Sequence, residues 1–380
     1  MTSCTESADS RRRGRLQVTF VLPSRGRAGA MHATVGMARA LQRRGCTTRI
    51  LCRQEVQRGL RAWLRRLGVV ARATLYPGGT DWLADAGVRV EPFARLSDVG
   101  FKPDEVVIAV GSYTVCELAV CDAPVIKVRY CKGIPEDDAA LLGTAWRVPM
   151  RTIAVSPLLV ERLRALTGEQ QIDVVPNGID RAEYFAVPGR RDAIGTIYHS
   201  APEKGGDYVI DIMRGLSASV PGVARVVFGA EPRPRLLESS TYTRLPSVAA
   251  ARRLYSRCKV WLVASRREGQ PGPVLEAMAC GCAVVSSDNV GSRGIIRDGE
   301  NGLLVPVGDT SAMVAAIRRV LGNDDLRARL VEAGMTTVSE YSWDRAADRM
   351  EQCLRRLVAE AEAAATAPPT GRSLRAATTA

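Results

Sequence analysis

From Leu16 onward, apolar runs of strand length alternate with stretches whose apolar residues recur at helical spacing. LQVTFVL, TTRILCR, VRVEPF, EVVIAVG, PVIKVRY and RTIAVS read as strands. The first is followed by the loop PSRGRAGA and by a helix over residues 31–44 that stops at Gly45. PLLVERLRALTG reads as a helix with Ser156 at its N-cap, Pro157 in first position and Gly168 at its end. Apolar strands that alternate with helices indicate a parallel sheet covered on both faces.

VVPNGIDRAEYF breaks this rhythm with a turn-rich stretch. A second series follows: strand GTIYHS, a helix over residues 207–216, strands ARVVFG and KVWLVA, helix GPVLEAMACG, strand AVVSS and a hairpin-like DGENGLLVP. Helices are expected after Asp309 and Asp324. A last long helix carries apolar residues at Ala347, Met350, Leu354, Leu357 and Ala361, near a period of 3.6. The expected division is a disordered basic lead-in over 1–14, a first α/β domain over 15–185, a second over 186–342, the long helix over 343–363 and a disordered tail over 364–380. Two such domains leave a cleft at the carboxyl ends of their strands, where open α/β sheets bind ligands.

Composition narrows the chemistry only slightly. Lys and Arg number 53 against 40 Asp and Glu, a net charge of +13 that favours anionic partners: nucleotides, nucleic acid or an anionic membrane surface. Aromatics at 5% and the lack of a recognition motif argue against nucleic acid. The ten cysteines form no CxxC pair, and His32 and His199 are the only histidines, so no metal site is expected. Reduced, buried thiols and the absence of a leader pattern suggest a cytoplasmic protein. No run approaches the roughly 18 apolar residues of a membrane helix.

EGQPGPVLEAMACG, Glu268 to Gly281, sets two carboxylates on either side of a glycine- and proline-rich loop. Pro273 suits the first helical position, with Gly272 as N-cap, so the N–H groups of Val274 and Leu275 would face outward as an anion site. Glu276, one turn further in, is placed to accept from ribose hydroxyls, and Glu268 from hydroxyls beyond the phosphates. A phosphate cradle between two hydroxyl acceptors describes a nucleoside diphosphate sugar. On local physics alone, a first-turn acid that satisfies the helix dipole and a solvated loop acid explain the pair equally well.

The wider pattern decides between them. Glu268 and Glu276, followed by AMACGCAVVSSDNVG and DGENGLLVP, and preceded by VVPNGID, by Glu203-Lys204-Gly205 and by the helix TIAVSPLLVERLRALTG, resemble the donor-site signature of retaining glycosyltransferases of family 4 over roughly residues 16–360. The resemblance implies a GT-B fold: α/β, two Rossmann-like domains facing across a cleft, with the C-terminal helix packing back on the N-terminal domain. It implies that Glu268 contacts the donor sugar and Glu276 holds the ribose. The backbone over Gly269, Gln270, Pro271, Gly272, Pro273, Val274 and Leu275 would hold the sugar and distal phosphate. Lys204 would neutralise the diphosphate leaving group. His199 stands where the family has an arginine, five residues before that lysine. In the loop after the first strand, Gly26 and Gly29 match the glycines that let donor phosphate and acceptor approach, and Arg25 and Arg27 are candidate contacts to phosphate or acceptor.

The chain also departs from that pattern. It has no histidine between His32 and His199; the corresponding loops carry Ser112, Tyr113 and Tyr130, and Gly294 stands where the family often has glutamate. The implied reaction retains configuration, the acceptor hydroxyl attacking on the leaving-group face with the diphosphate as base. It needs neither a cofactor nor a metal, and Asp137-Asp138 is read as exposed rather than as a metal pair. Implied partners are a nucleotide-sugar donor, a glycan or lipid-linked acceptor and an anionic membrane surface. The alternatives are a nucleotide-sugar 2-epimerase of the same fold, or a catalytically silent sugar-nucleotide-binding partner of another transferase.

Overall fold

The computed structural model describes residues 15–24, 29–54, 83, 86–133, 146–237 and 240–366. Gly26, Arg25, Arg27, Asp137, Asp138, the lead-in over 1–14 and residues 367–380 of the expected tail lie outside the described residues.

Two parallel sheets organise the described chain. In the first lobe β1 (Gln17–Leu22), β2 (Thr47–Arg53), β3 (Arg89–Phe93), β4 (Val106–Ala109), β5 (Ile126–Cys131), β6 (Arg151–Ala154) and β7 (Ile172–Val174) pair in the order β3-β2-β1-β4-β5-β6-β7. In the second, β8 (Ala193–Ile197), β9 (Ala224–Gly229), β10 (Thr241–Arg244), β11 (Cys258–Val263), β12 (Ala283–Ser287) and β13 (Leu303–Val305) pair in the order β10-β9-β8-β11-β12-β13. Both orders reverse direction beside their first strand, between β1 and β4 and between β8 and β11, the switch points at which a crevice opens beyond the strand ends. Central strands buried on both faces explain the continuous apolar runs: Val106, Val107, Ile108 and Ala109 are all fully buried.

Helices α1 (Gly29–Arg43), α2 (Ser112–Ala119) and α3 (Pro157–Thr167) accompany the first sheet. The second is accompanied by α4 (Gly206–Ser219), α5 (Val248–Arg257), α6 (Gly272–Ala279), the short α7 (Val290–Arg293), α8 (Thr310–Leu321) and α9 (Asp324–Glu340). Their starts follow side-chain chemistry. Ser156, Ser247, Asn289, Asp309 and Asn323 each accept a backbone N–H from the first turn of their helix, worth about 1 kcal/mol apiece. Gly168, left-handed at φ 71°, ends α3 as expected. DGENGLLVP is not a hairpin: its LLV is β13, added parallel to β12.

The last helix, α10 (Trp343–Thr366), returns to the first lobe and runs three residues past its expected end at Ala363. Its Ala346, Ala347, Met350, Cys353, Leu354 and Leu357 join the core of the first sheet. Arg44 of that lobe donates to Glu351 at 2.6 Å and to Asp348 at 2.8 Å, and Arg356 donates to Asp173 at 2.5 Å. The crossing between lobes is tight. Ile179 N–H donates to the Tyr341 carbonyl at 2.8 Å, and the Trp343 indole lies against Gly36 of α1. A Cβ on Gly178 would sit 2.6 Å from Trp343 Cα and 2.7 Å from the Ser342 carbonyl carbon. Gly178→Ala should therefore cost about 1–3 kcal/mol, read as a lower denaturation midpoint. A variant as stable as wild type would show that the crossing tolerates a side chain.

Candidate functional site

A cavity of about 680 Å³ lies between the lobes at the carboxyl ends of the two sheets. Gly29, Ala30, His32 and Lys132 line it from the first lobe, and His199, Lys204, Glu268, Gln270 and Glu276 from the second. The switch-point loops after β8 and β11 supply His199, Glu203, Lys204 and Glu268.

The loop after β11 is locked on several sides. Asn289 donates to the Ser265 carbonyl at 2.9 Å, and a Cβ on Gly291 would lie 2.7 Å from the Glu268 carbonyl oxygen, so α7 packs directly on this loop. Gly269 presses on the first lobe, where a Cβ would overlap the Lys132 carbonyl. Gln270 makes an amide pair with the Asn177 backbone, accepting its N–H at 2.7 Å and donating to its C=O at 3.1 Å. The helix cap is Pro271, in extended geometry at φ −72°, rather than Gly272 as expected. Pro271 also accepts the Val274 N–H at 3.1 Å, so that group does not face outward, and the Val274 side chain is fully buried. Gly272, Pro273 and Leu275 line the cavity.

Lys204 and Glu268 meet across the two loops, Nζ donating to Oε1 at 2.8 Å and to Oε2 at 2.9 Å. The backbone holds them there. Arg266 and Arg267 N–H groups donate to the Glu203 carbonyl, and Gly205, left-handed at φ 68°, has no room for a Cβ beside the Ala264 carbonyl. Arg266 also clamps Asp207 at 2.8 and 2.7 Å, holding its carboxyl down at about 2. With Lys204 partly solvated, the Lys204–Glu268 attraction is worth no more than about 1 kcal/mol. An incoming anion can compete for the ammonium.

His199 Nδ1 accepts the Ala201 N–H at 3.0 Å. A ring nitrogen that accepts carries no proton, which assigns the neutral ring's proton to Nε2. Glu231 Oε1 lies 3.3 Å from the same Nδ1, so protonation would exchange the backbone contact for an ion pair.

Glu276 sits deeper. Tyr255 of α5 donates to its Oε2 at 2.7 Å. Burial first, and then the nearby Glu183, push the Glu276 carboxyl up from 4.5 to about 7, against the lowering effect of the Tyr255 bond. Behind this pair lies an aromatic cluster, with the Tyr255 and Trp261 rings 4.2 Å apart and Phe228 5.5 Å from each. Phe228, Trp261, Tyr184, Pro246 and Val248 give the cavity an apolar end beside Glu276. A planar heterocycle can bury its faces there, a hydroxylated ring can donate to Glu276, and anionic groups can reach Lys204 and His199.

Of the expected residues, Glu268, Lys204, His199, Glu276, Gln270, Pro271, Gly272, Pro273, Leu275 and Gly29 all line the one cavity. Gly269 and Val274 instead serve the lobe contact and the core. A Cβ on Gly29 would meet nothing within 4 Å, so internal packing does not demand a glycine there. Tyr130 is buried, its hydroxyl donating to the Val175 carbonyl at 2.7 Å. Tyr255 and Lys132 escaped the sequence reading, and only the fold joins them to the motifs; Asn177 and Asn289 lie inside VVPNGID and AMACGCAVVSSDNVG, but their contacts emerge only in the structure.

Residues 193–323 match the family described as Glycosyl transferases group 1. Over 70 residues the chain is 49% identical to a phosphatidyl-myo-inositol mannosyltransferase of Mycobacterium leprae (strain TN), a span of 18% of this chain and 19% of that protein. Over 216 residues it is 27% identical to the lipopolysaccharide core biosynthesis glycosyltransferase LpsE of Rhizobium meliloti (strain 1021), 52% of this chain and 62% of that one. The aligned spans thus cover less than two thirds of these relatives. The structure of Anabaena Alr3699/HepE in complex with UDP superposes with a TM-score of 0.68 over 90% of this chain and 100% of that chain, at 16% identity. That likeness speaks to the fold, which is GT-B: two Rossmann-like lobes facing across a cleft.

The raised Glu276 value has a consequence for stability. Between pH 4.5 and 7 the folded chain keeps a proton on Glu276 that the unfolded chain releases, so this group lowers stability as pH rises through that window. Glu276→Gln should match wild type near pH 4 and exceed it at pH 8 by on the order of 3 kcal/mol, measured by denaturant titration at both pH values. Equal stability at both would refute the raised value.

Proposed function

We propose that the chain is a retaining, metal-independent glycosyltransferase of family 4 that moves a sugar from a nucleoside diphosphate sugar to a hydroxyl of a glycan or lipid-linked acceptor. One observation carries the proposal. Glu268, Lys204, His199 and Glu276, expected from motifs up to 77 positions apart, line a single cavity whose apolar end suits a nucleobase. The match to Glycosyl transferases group 1 over 193–323 and the UDP bound by the Anabaena protein of the same fold support it.

In this reading the base packs beside Phe228, Pro246 and Val248, and the ribose hydroxyls donate to Glu276. A ribose bond favours the carboxylate, so donor binding draws the proton off that buried group. The diphosphate takes Lys204 from Glu268, and Glu268 turns to the sugar hydroxyls. As the glycosidic C–O bond lengthens, negative charge grows on the departing phosphate oxygen; the Lys204 ammonium and the His199 Nε2–H stabilise it. The acceptor hydroxyl attacks on the same face and gives its proton to the leaving diphosphate. The lipid and lipopolysaccharide acceptors named for the two relatives support the acceptor class. The net charge of +13 favours a peripheral contact with an anionic membrane surface.

Incubation with UDP-glucose, UDP-N-acetylglucosamine and GDP-mannose, with release of nucleoside diphosphate as readout, tests this directly. Wild type should turn over at least one donor. Lys204→Ala should lower kcat about 10²–10³-fold. Glu276→Ala should weaken nucleotide binding about tenfold or more, with Glu268→Ala acting mainly on kcat. Nucleotide binding without turnover on any donor and acceptor would sink the transferase reading, as would full activity in both glutamate variants.

A further inference from the structure

Two cations face the cleft under opposite conditions. Lys204 is matched by both oxygens of Glu268. Lys132, one residue past β5 on the first-lobe wall, is half-buried and has only neutral partners among the described residues. Its Nζ donates to Asn177 Oδ1 at 2.8 Å and lies 4.3 Å from the Tyr130 ring centroid. Both partners are pinned: the Tyr130 hydroxyl is committed to the Val175 carbonyl, and the Asn177 backbone is gripped at N–H and C=O by Gln270. A flexible lysine stem is thereby held in one place on the cavity wall.

This arrangement is costly unless an anion offsets it. Desolvation, with no carboxylate among the described residues to oppose it, lowers the Lys132 ammonium from 10.5 to about 7. A solvated surface lysine would carry no such cost, and neutral dipoles recover only part of it. The location is specific as well. The Lys132 carbonyl abuts Gly269, next in sequence to Glu268, so Lys132 stands on the first-lobe side of the residue proposed to hold the sugar.

We propose that Lys132 binds a phosphate or carboxylate oxyanion that the substrate presents at the first-lobe wall of the cleft, beside the transferred sugar. This rests on the donor-site reading above. The oxyanion belongs either to the acceptor or to the sugar of the donor, as the carboxylate of a uronic acid. Asn177 and Tyr130 then orient the ammonium, and the bound anion supplies a charge that none of its described partners carries.

Calorimetry on the full chain separates the possibilities. UDP and GDP affinities are measured first for wild type, Lys132→Met and Lys132→Arg, and the three should agree within about twofold. The donor arm compares UDP-glucuronate with UDP-glucose. The acceptor arm titrates glycerol 3-phosphate, with glycerol as the neutral control, into protein saturated with the nucleoside diphosphate. In one arm Lys132→Met should weaken the anionic probe about ten- to a hundredfold and the neutral one less than threefold, with Lys132→Arg restoring most of the loss. Wild type that binds nucleotide but favours no anionic probe, or a Met variant that weakens charged and neutral probes alike, would overturn the assignment of Lys132 and leave the donor site standing. Wild type that binds no nucleoside diphosphate would overturn the donor-site reading itself, and this inference with it.

Discussion

Backbone meets backbone where the two lobes touch, and everything in the cleft depends on that closeness. Gly269 lies against the Lys132 carbonyl, Gly178 against the backbone of Trp343, and Gly36 against the Trp343 indole, none with space for a Cβ. Around these approaches run the directional contacts: Gln270 to the Asn177 backbone and Ile179 to Tyr341. An interface built of packed side chains could slide by a rotamer change. One built of glycine and main-chain hydrogen bonds leaves little freedom, and it sets Lys132 on one wall and Glu268 on the other at a fixed separation.

That geometry gives the cleft its electrostatic character. Two ionisable groups on its floor are held in states that water would not favour. Glu276 is about half protonated at pH 7 because burial outweighs the Tyr255 bond. Lys132 is about half protonated at pH 7 because burial meets no carboxylate among the described residues. Only the Lys204–Glu268 pair balances internally. Groups poised in this way respond strongly to a ligand that brings the missing hydroxyl or charge, because the protein has already desolvated them.

Much of the fold was legible because parallel, doubly buried strands leave uninterrupted apolar runs, and because caps such as Ser156 and Gly168 are local chemistry. What escaped notice was polar or distant. Strand β10 reads TYTR, with no buried residue, and α5 reads VAAARRLYSR, in which small alanines and three arginines leave only Val248, Leu254 and Tyr255 as large apolar side chains. Helix α10 outran its expected end because alanines continue a helix without any packing to signal them. The cap shifted from Gly272 to Pro271 because proline's fixed φ already suits the extended cap residue. In the site, Glu268, Glu276 and Lys204 were visible as a motif in order and spacing. Tyr255 and Lys132 were not, since each acts on a group that only the sheet order brings near.

His199 shapes how charge would reach a leaving diphosphate under the proposed mechanism. An arginine at this position would bring a permanent charge to a departing diphosphate. The imidazole, with Nδ1 committed to the Ala201 N–H, brings an Nε2–H dipole instead. Under the proposed mechanism the full positive charge then rests on Lys204, whose partner in the structure is Glu268, the group proposed to hold the sugar. Delivery of the ammonium to phosphate and release of the carboxylate to sugar become one exchange on a single ion pair. A donor lacking its sugar would draw Lys204 away and leave Glu268 unpaired, so the ion pair favours the intact nucleotide sugar over the bare nucleotide. Under that mechanism, charge stabilisation and donor discrimination rest on one ion pair.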